Sequence, residues 1–386
     1  MKRHDVIVAG GGVVGAAIAL GLQRAGVDVA LVERGQRPPS FDAADYDLRV
    51  YAISPASEKL LKELGVWDDI ASRRVSPYTA MCVWDEQPDQ PLRFSAAALG
   101  VARLGHIIES SLLLDALWAR LVRVPCYLGS AITQCEFSES SAQLTLDNGL
   151  QLGARLVVAA EGKQSPLREW AGIDCQQWDY PQQAVVCNVT TEKSHRQTAC
   201  QRFLPDGPLA FLPLADGRSS IVWSSRHAAE LMALSDADFI ERLGEAFQHR
   251  LGRITATTRR VAFPLGLLYA QQMVRPRLAL VGDAAHVVHP LAGQGVNLGL
   301  SDVAVLLETI TTAQAQRRDP GQLRTLQRYE RARKADTLDM LAVTEGLYRA
   351  YGTALSGWSE LRQLGLDAAN RLPVFKNLMM RRAMGL

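Results

Sequence analysis

The sequence has no excess of charge of either sign, because its 42 lysines and arginines are offset by 40 aspartates and glutamates. Binding of nucleic acid needs a basic face, so we expect no nucleic-acid partner. No unbroken apolar run reaches the roughly twenty residues that cross a bilayer. Lys2-Arg3 precedes an apolar stretch, but Asp5 and the glycines at 10–12 interrupt it, which argues against a signal peptide. These absences favour a cytoplasmic protein.

Cysteine is scarce and scattered. The six cysteines form no C-x-x-C pair and have no histidine nearby at zinc spacing, so we expect reduced thiols and no metal site. Low-complexity segments are also absent, and 48% of the 386 residues are hydrophobic, so the chain can bury a large core. The length exceeds that of one typical domain, and we expect two intertwined domains.

The N-terminus carries a dinucleotide-binding fingerprint. An apolar strand from Asp5 leads into a glycine turn, a helix over 16–25 and a second strand over 28–32 that ends at Glu33. In this pattern Gly10 makes the turn, Gly12 lets the backbone approach a pyrophosphate, Gly15 lets the helix pack on the strand, and the acid holds a ribose. The alternative for Glu33 is a solvated surface carboxylate.

A second glycine-rich block spans 277–300. An apolar strand over 278–281 stops at Gly282-Asp283, a loop with His289-Pro290 and Gly293 follows, and helical spacing begins at Val296. Free N–H groups near Gly295 and Asn297 would then face the same crevice as Asp283. A helix start is electropositive and suits a group that becomes anionic during turnover. The alternative is that Asp283 caps a helix and the glycines make a turn.

The sequence contains only one dinucleotide fingerprint, so we expect one durably bound nucleotide. FAD is long enough to reach from Gly12 to a ring beside Gly295, whereas NAD would leave the Asp283 crevice unexplained. No cysteine or histidine is placed for a covalent flavin bond. We therefore expect non-covalent FAD.

Residues 175–266 read as short strands separated by turns, with one helix over 236–247, which indicates an antiparallel sheet. Five apolar residues in it could roof a cavity, or could be plain core: Phe203, Phe211, Leu212, Trp223 and Phe263.

The predicted fold class is α/β, with a Rossmann-like FAD-binding domain, an inserted antiparallel-sheet substrate domain and a C-terminal helical segment. We place the FAD-binding domain at 1–77, 101–175 and 267–340. The substrate domain takes 78–100 and 176–266, and the helical segment takes 341–386.

Three motifs, at 10–15, 159–168 and 282–297, together resemble the FAD-dependent aromatic hydroxylases of the para-hydroxybenzoate hydroxylase fold. The sequence is more similar still to the ubiquinone-biosynthesis hydroxylases, and this similarity spans essentially the whole chain. The segments that carry it are Leu48-Arg-Val-Tyr-Ala-Ile53, Leu60-Leu-Lys-Glu-Leu-Gly-Val-Trp67, Phe211-Leu-Pro-Leu214, Gly282–Leu300 and Arg382-Ala-Met-Gly-Leu386.

The resemblance implies a set of cofactor-binding residues, with His289 and Pro290 as candidates for the flavin face. The full set is Gly10, Gly12, Val14, Gly15, Glu33, Arg34, Arg49, Glu161, Gly282, Asp283, Pro290, Gly293, Gly295, Val296 and Asn297. Two positions depart from the family pattern: Glu161 stands where relatives usually have aspartate, and Ser110 follows Glu109 where relatives tend to have asparagine.

The resemblance also implies the reaction. NAD(P)H would reduce the flavin transiently, and O2 would then be used to hydroxylate a polyprenylated phenol. Alternatives are a non-catalytic flavoprotein or lipid-binding subunit, and a reductase or oxidase. The acid-base candidates are His106, His286 and His289. The alternative for each of them is a purely structural role. Ring position and the choice of NADH or NADPH stay open, as does assembly into a homo-oligomer or a ubiquinone-biosynthesis complex.

The end of the chain is basic and apolar. The last sixteen residues contain four basic side chains and no acidic one, which suits either peripheral contact at the inner face of the membrane or packing on protein.

Overall fold

The computed structural model describes residues 1–85, 91–288 and 295–352. Three sheets contain the strands of these ranges. The first two sheets each carry helices, and the third, small sheet lies beside them. The predicted α/β class with an inserted antiparallel sheet is confirmed.

The first sheet is built around parallel strands. Its strands are β1 (Lys2–Ala9), β2 (Val29–Glu33), β8 (Cys126–Leu128), β9 (Ile132–Phe137), β10 (Ala142–Leu146), β11 (Gln151–Ala159), β18 (Val274–Arg275) and β19 (Leu278–Leu280). The parallel centre runs in the order β19, β11, β1, β2 and β8. The carboxyl-terminal halves of the central strands are apolar and buried, as in residues 6–9 of β1 and 156–159 of β11, which is typical of the interior of a parallel sheet. Their carboxyl ends meet at one edge, so the segments that follow β1, β2, β11 and β19 come together there.

Helices pack with this sheet in one apolar core. They are α1 (Val13–Arg24), α2 (Pro55–Glu63), α3 (Trp67–Arg73), α4 (Ser110–Trp118), α5 (Pro166–Trp170), α8 (Gly295–Ala315) and α9 (Leu323–Gly352). Helices α1 and α8 approach each other closely, because a Cβ on Gly21 would lie 2.3 Å from Leu307.

Helix α8 is long and apolar enough, by length and composition, to cross a membrane. Half of its most apolar window is buried inside the protein, however, and the helix packs against α1 and α9. It also carries Asp302, which is fully buried and paired. These contacts are those of a core helix.

The second sheet is mostly antiparallel. Its strands are β5 (Ala80–Trp84), β6 (Leu92–Ser95), β12 (Cys175–Thr191), β13 (Thr198–Leu204), β14 (Gly207–Pro213), β15 (Ser219–Ser225), β16 (Ile254–Thr257), β17 (Val261–Ala270) and β20 (His286–Val287). The exception is the parallel pairing of β5 with β13. Strand β20 pairs with β17 and follows directly from β19, so the chain passes from the first sheet to the second within a few residues.

One face of the second sheet packs on α6 (Ala228–Ala233) and α7 (Asp236–Ala246). Phe211 stacks on Phe247 just after α7, with ring centroids 3.6 Å apart, and Trp223 contacts Phe239 on α7. For Phe211 and Trp223 the plain-core alternative therefore holds, because both belong to the core on the helix side. Successive side chains on a strand point to opposite faces, and Phe211 and Trp223 have the parity of the helix side.

The small third sheet consists of β3 (Val50–Ile53), β4 (Ser76–Tyr78) and β7 (Gly105–Glu109). Residues 80–84 and 92–95 form an antiparallel pair outside the first sheet, and they join the second. Strand β17 runs across the predicted domain boundary at 266. The domain limits therefore stay predictions, although the chain passes between sheets close to them.

Candidate active site

A continuous cavity of about 690 Å³ lies between the first and second sheets. One end is bordered by the glycine turn after β1, at Gly10 and Gly12. The other end is bordered by the second sheet, including Leu212 and Phe263. The volume is within the range of small-molecule and cofactor sites. Two of the five predicted roof residues therefore line the cavity, whereas Phe203 is buried outside its lining.

The turn after β1 leaves room for a side chain at Gly12 but not at Gly10 or Gly15. A Cβ on Gly15 would lie 1.9 Å from the carbonyl oxygen of Gly10, and one on Gly10 would lie 2.3 Å from that of Ala160. Around Gly12, by contrast, a Cβ would meet nothing within 4 Å. Gly12 thus exposes bare backbone at the start of α1, as a phosphate-binding turn requires.

Glu33 ends β2 and supports this turn. Its carboxylate accepts hydrogen bonds from the N–H of Gly11 at 2.5 Å and of Gly35 at 2.7 Å. The buried Trp118 donates its indole N–H to the Gly11 carbonyl at 2.9 Å. Sequence reasoning identified Glu33 but missed Trp118, which lies 107 residues away with no local signal. Glu33 and Arg34 both line the cavity.

Asp283 lies in the short turn between β19 and β20, where the two sheets meet. Its carboxylate borders the cavity and makes no hydrogen bond to residues in the described ranges. Asp283 is exposed to the cavity, yet the surrounding protein atoms displace enough water to raise the pKa of its carboxyl, while the charges of Arg49 and His286 oppose that shift. Arg49 also borders the cavity, and its guanidinium lies over the Tyr51 ring at 5.4 Å. The carboxylate is therefore open to hydroxyl donors of a ligand.

Glu161 follows β11 at the same edge and accepts a hydrogen bond from the Ser165 hydroxyl at 2.6 Å. Burial raises the pKa of Glu161 to about 7, although Ser165, Arg168 and Arg34 act to lower it. The Arg168 guanidinium is buried and donates to the carbonyls of Ala284 at 3.1 Å and Lys163 at 2.9 Å. Arg168 thereby ties the segment after β11 to the Asp283 turn.

We expect Glu161 to make stability depend on pH. The pKa of Glu161 is about 7 in the folded protein and 4.5 in the unfolded chain. At pH values between these two, the folded protein therefore binds the carboxyl proton more tightly than the unfolded chain does. The stability from this group is therefore fully present below the lower value and is lost as the pH rises through about 7. Because the side chain is partly open to the cavity, the loss is at most about 3 kcal/mol.

The measurement is urea unfolding of the wild type and of Glu161→Gln from pH 4.5 to 8. Glutamine mimics the protonated acid, so the variant should gain stability relative to wild type as the pH rises. Parallel pH curves would show that Glu161 ionises normally.

The start of α8 borders the cavity through Gly295 and Val296. A Cβ on Gly295 would meet nothing within 4 Å, as at Gly12. The side chain of Asn297 is directed elsewhere: it donates to the Ala52 carbonyl at 2.7 Å and accepts from Ser54 and Ser57. The prediction of a cofactor contact at Asn297 can therefore hold only for its backbone, since the side chain fixes α8 to the β3–α2 segment.

A buried charged cluster lies behind the Asp283 turn. Asp302 on α8 accepts hydrogen bonds from the Gly282 N–H at 2.9 Å and from Arg333 Nε on α9 at 2.8 Å, and its carboxylate lies 2.7 Å from His286 Nε2. Although burial alone would raise the pKa of Asp302, His286 and Arg333 hold it below its ordinary value. The cluster fixes Gly282, whose Cβ position lies against Val14.

Two of the three histidine candidates are structural. His286 is held in the Asp302 cluster. His106 is buried against Trp67, with ring centroids 5.0 Å apart, and burial lowers its pKa to about 4. Neither lines the cavity. The third candidate, His289, lies outside the described residues, as do Pro290, Gly293 and the end of the chain beyond 352.

The cavity face of the second sheet, called here the sheet wall, carries no charged side chain among the residues that the structure describes. Its residues are Met81, Ala184, Val186, Ala199, Gln201, Ala210, Leu212, Val222, Phe263, Pro264 and Leu265. A ligand bound there is therefore mostly apolar and uncharged where it meets the wall.

The described residues fit FAD. Gly12 and Gly295 leave open space where backbone N–H groups meet the cavity, and the Asp283 carboxylate has no hydrogen-bond partner within the described ranges. When bound, FAD supplies electron transfer and oxygen activation. The protein supplies a phosphate turn, a hydroxyl acceptor and an electropositive helix start. A nucleotide turn joined to an apolar wall by one cavity is the site of a flavin-dependent monooxygenase.

Comparison of the sequence with known proteins agrees with this class. The family model described as FAD binding domain matches residues 3–342, and the chain belongs to this family. The chain is 39% identical to the ubiquinone hydroxylase UbiL of Rhodospirillum rubrum, covering 100% of this chain and 90% of that protein. It is 37% identical to the 3-demethoxyubiquinol 3-hydroxylase of Escherichia coli, covering 99% and 98%. The identity to human COQ6, a mitochondrial ubiquinone biosynthesis monooxygenase, is 36%, covering 98% and 92%.

Solved structures share the fold. The p-nitrophenol 4-monooxygenase PnpA of Pseudomonas putida superposes with a TM-score of 0.79 at 19% identity, covering 100% of this chain and 99% of that one. A single-residue variant of HpxO from Klebsiella pneumoniae, complexed with FAD, superposes with a TM-score of 0.77 at 20% identity, covering 100% and 98%. The predicted family, enzyme class and FAD cofactor are confirmed.

Proposed function

We propose that this protein hydroxylates the aromatic ring of a polyprenylated phenol or benzoquinol in ubiquinone biosynthesis, using FAD, NAD(P)H and O2. The observation that carries the proposal is the continuity of the cavity from the phosphate turn to the uncharged sheet wall. A neutral ring with an apolar tail suits that wall, and a charged substrate does not. The names of the full-length relatives support the same substrate class.

In this proposal the cofactor-binding residues divide by position. The backbone at Gly12, with Gly10 and Gly15 shaping the turn, receives the pyrophosphate, and Asp283 accepts hydrogen bonds from the ribityl hydroxyls. The N–H groups at Gly295 and Val296 lie at the positive end of α8, where they stabilise negative charge on the ring. Glu33, Arg34, Arg49 and Glu161 border the nucleotide end.

The sheet wall excludes water and orients the ring. Its apolar side chains leave a reactive oxygen species little water to react with, which favours transfer of oxygen to the substrate. We further propose that the tail of the substrate is drawn from a membrane, and that the basic segment 371–386 contacts that surface or a partner protein.

The proposal is tested with purified FAD-loaded protein and a short-chain prenyl phenol. We expect the phenol to stimulate NAD(P)H oxidation, and mass spectrometry to find a product one oxygen atom heavier, formed in proportion to the NAD(P)H consumed. Stimulated oxidation without that product would indicate a reductase or oxidase. No oxidation with any phenol would indicate a non-catalytic flavoprotein.

A further inference from the structure

One position on the sheet wall is polar in its side chain and free of protein partners within the described ranges. Gln201 on β13 pairs in register with Ala210 on β14. Its neighbours Cys200 and Arg202 point the other way, where Cys200 joins the core under α7 and Arg202 hydrogen-bonds the end of that helix. Because side chains alternate along a strand, the Gln201 amide faces the cavity, opposite the small Ala210.

A second polar group enters from the third sheet. Tyr78 ends β4, lines the cavity and is only 8% exposed. A Cβ on Gly105, its partner on β7, would lie 2.9 Å from the Tyr78 hydroxyl and 3.0 Å from the ring. Gly105 therefore makes room for this ring. Burial raises the pKa of Tyr78 to about 12, so its phenol stays protonated and can donate a hydrogen bond.

Neither side chain is hydrogen-bonded to any residue within 1–85, 91–288 or 295–352. Both side chains line the cavity, and a pocket's few polar groups fix the orientation of its ligand. Tyr51, which also lines the cavity, has a protein partner, because its hydroxyl accepts from the Ser110 hydroxyl at 3.3 Å. Tyr78 and Gln201 thus mark where a ligand's polar atoms belong.

We propose that Tyr78 and Gln201 hold the ring oxygens of the substrate and make the enzyme specific for neutral aromatic rings with a free hydroxyl. Tyr78 donates to a ring oxygen, and the Gln201 Oε1 accepts from a ring hydroxyl. The inference rests on the proposed function, because it assigns the polar contacts of that same substrate. It adds specificity-determining residues that no sequence motif indicates.

The test compares two ligands on the FAD-loaded protein: a short-chain prenyl phenol and the same molecule with hydrogen in place of the hydroxyl. Dissociation constants come from the perturbation of the flavin absorption spectrum. We expect the wild type to prefer the phenol by about tenfold or more, since a site built for a hydroxyl rejects a ligand without one. Tyr78→Phe and Gln201→Met should each reduce this preference about fivefold.

Tyr127→Phe is the matched control, because it removes a tyrosine hydroxyl at the far side of the first sheet and should keep the full preference. The inference is overturned if Tyr78→Phe, with FAD bound, discriminates like the wild type; this variant decides even if Gln201→Met does not fold. A wild type that hydroxylates the phenol but binds both ligands equally would overturn the inference alone. A wild type that binds the phenol and leaves it unreacted would overturn the proposed function alone.

Discussion

Replacing Gly12 by valine should abolish FAD binding while leaving the protein folded. Gly12 has φ −66° and ψ −178°, a conformation open to any residue, so valine adds no backbone strain. Its Cβ would meet no protein atom within 4 Å, and the side chain would instead fill the space above the phosphate turn. We expect the affinity for FAD to fall by a factor of about a hundred or more, or about 2.7 kcal/mol.

The measurement is flavin content after purification, together with FAD titration of the stripped protein. Gly346→Val is the matched control, because a Cβ there also meets nothing within 4 Å but lies on α9, outside the cavity lining. The control should bind FAD normally. Normal flavin content in a folded Gly12→Val protein would place the cofactor elsewhere.

The second large effect concerns the buried cluster at Asp302. Asp302→Asn removes one charge and leaves Arg333 buried without its main partner, which typically costs about 3–5 kcal/mol. Asparagine has one acceptor oxygen where aspartate has two, so the hydrogen bonds from the Gly282 N–H and from Arg333 Nε cannot both be kept. The loosened Gly282 turn should lower FAD affinity as well. Urea unfolding with saturating FAD measures the first effect, and FAD titration the second.

Asp336→Asn provides the control, because Asp336 pairs with the same arginine at 2.7 Å but its side chain is 63% exposed. An exposed ion pair is worth about 1 kcal/mol or less, so this variant should remain close to wild type. If the two variants lost equal amounts of unfolding free energy and of FAD affinity, the Asp302 cluster would not be what holds the Gly282 turn in place.

The nucleotide end of the site could be predicted from the sequence because the residues that indicate it are close together in the chain. Gly12 and Glu33 lie within one strand–helix–strand unit, and Asp283 follows directly after an apolar strand. Each inference needed only the period of a strand or helix and the conformational freedom of glycine.

The supporting contacts could not be predicted because they join residues far apart in the chain. Asn297 reaches Ala52 across 245 residues, and Trp118 reaches Gly11 across 107. No periodic pattern in the sequence indicates such pairs. The sequence therefore indicated a cofactor contact near Asn297 but not the hydrogen bonds by which its side chain fixes the start of α8 to the β3–α2 segment.

The two faces of the second sheet were confused for a different reason. Its strands are apolar on both sides, so composition does not show which residues face the cavity and which face helix α7. Only the pairing register separates Leu212 from Phe211 and sets Gln201 on the cavity side. The polar pair of Tyr78 and Gln201 also joins two sheets, and neither residue belongs to a recognisable motif.

The central claim is that one cavity brings FAD and a neutral phenol together for hydroxylation with O2. The most direct measurement is turnover of a prenyl phenol under heavy-isotope oxygen gas in ordinary water, with mass spectrometry of the product. We expect the new ring hydroxyl to carry the heavy isotope and the FAD-free Gly12→Val protein to form no such product. A hydroxyl oxygen derived from water, or labelled product formed without FAD, would contradict the central claim.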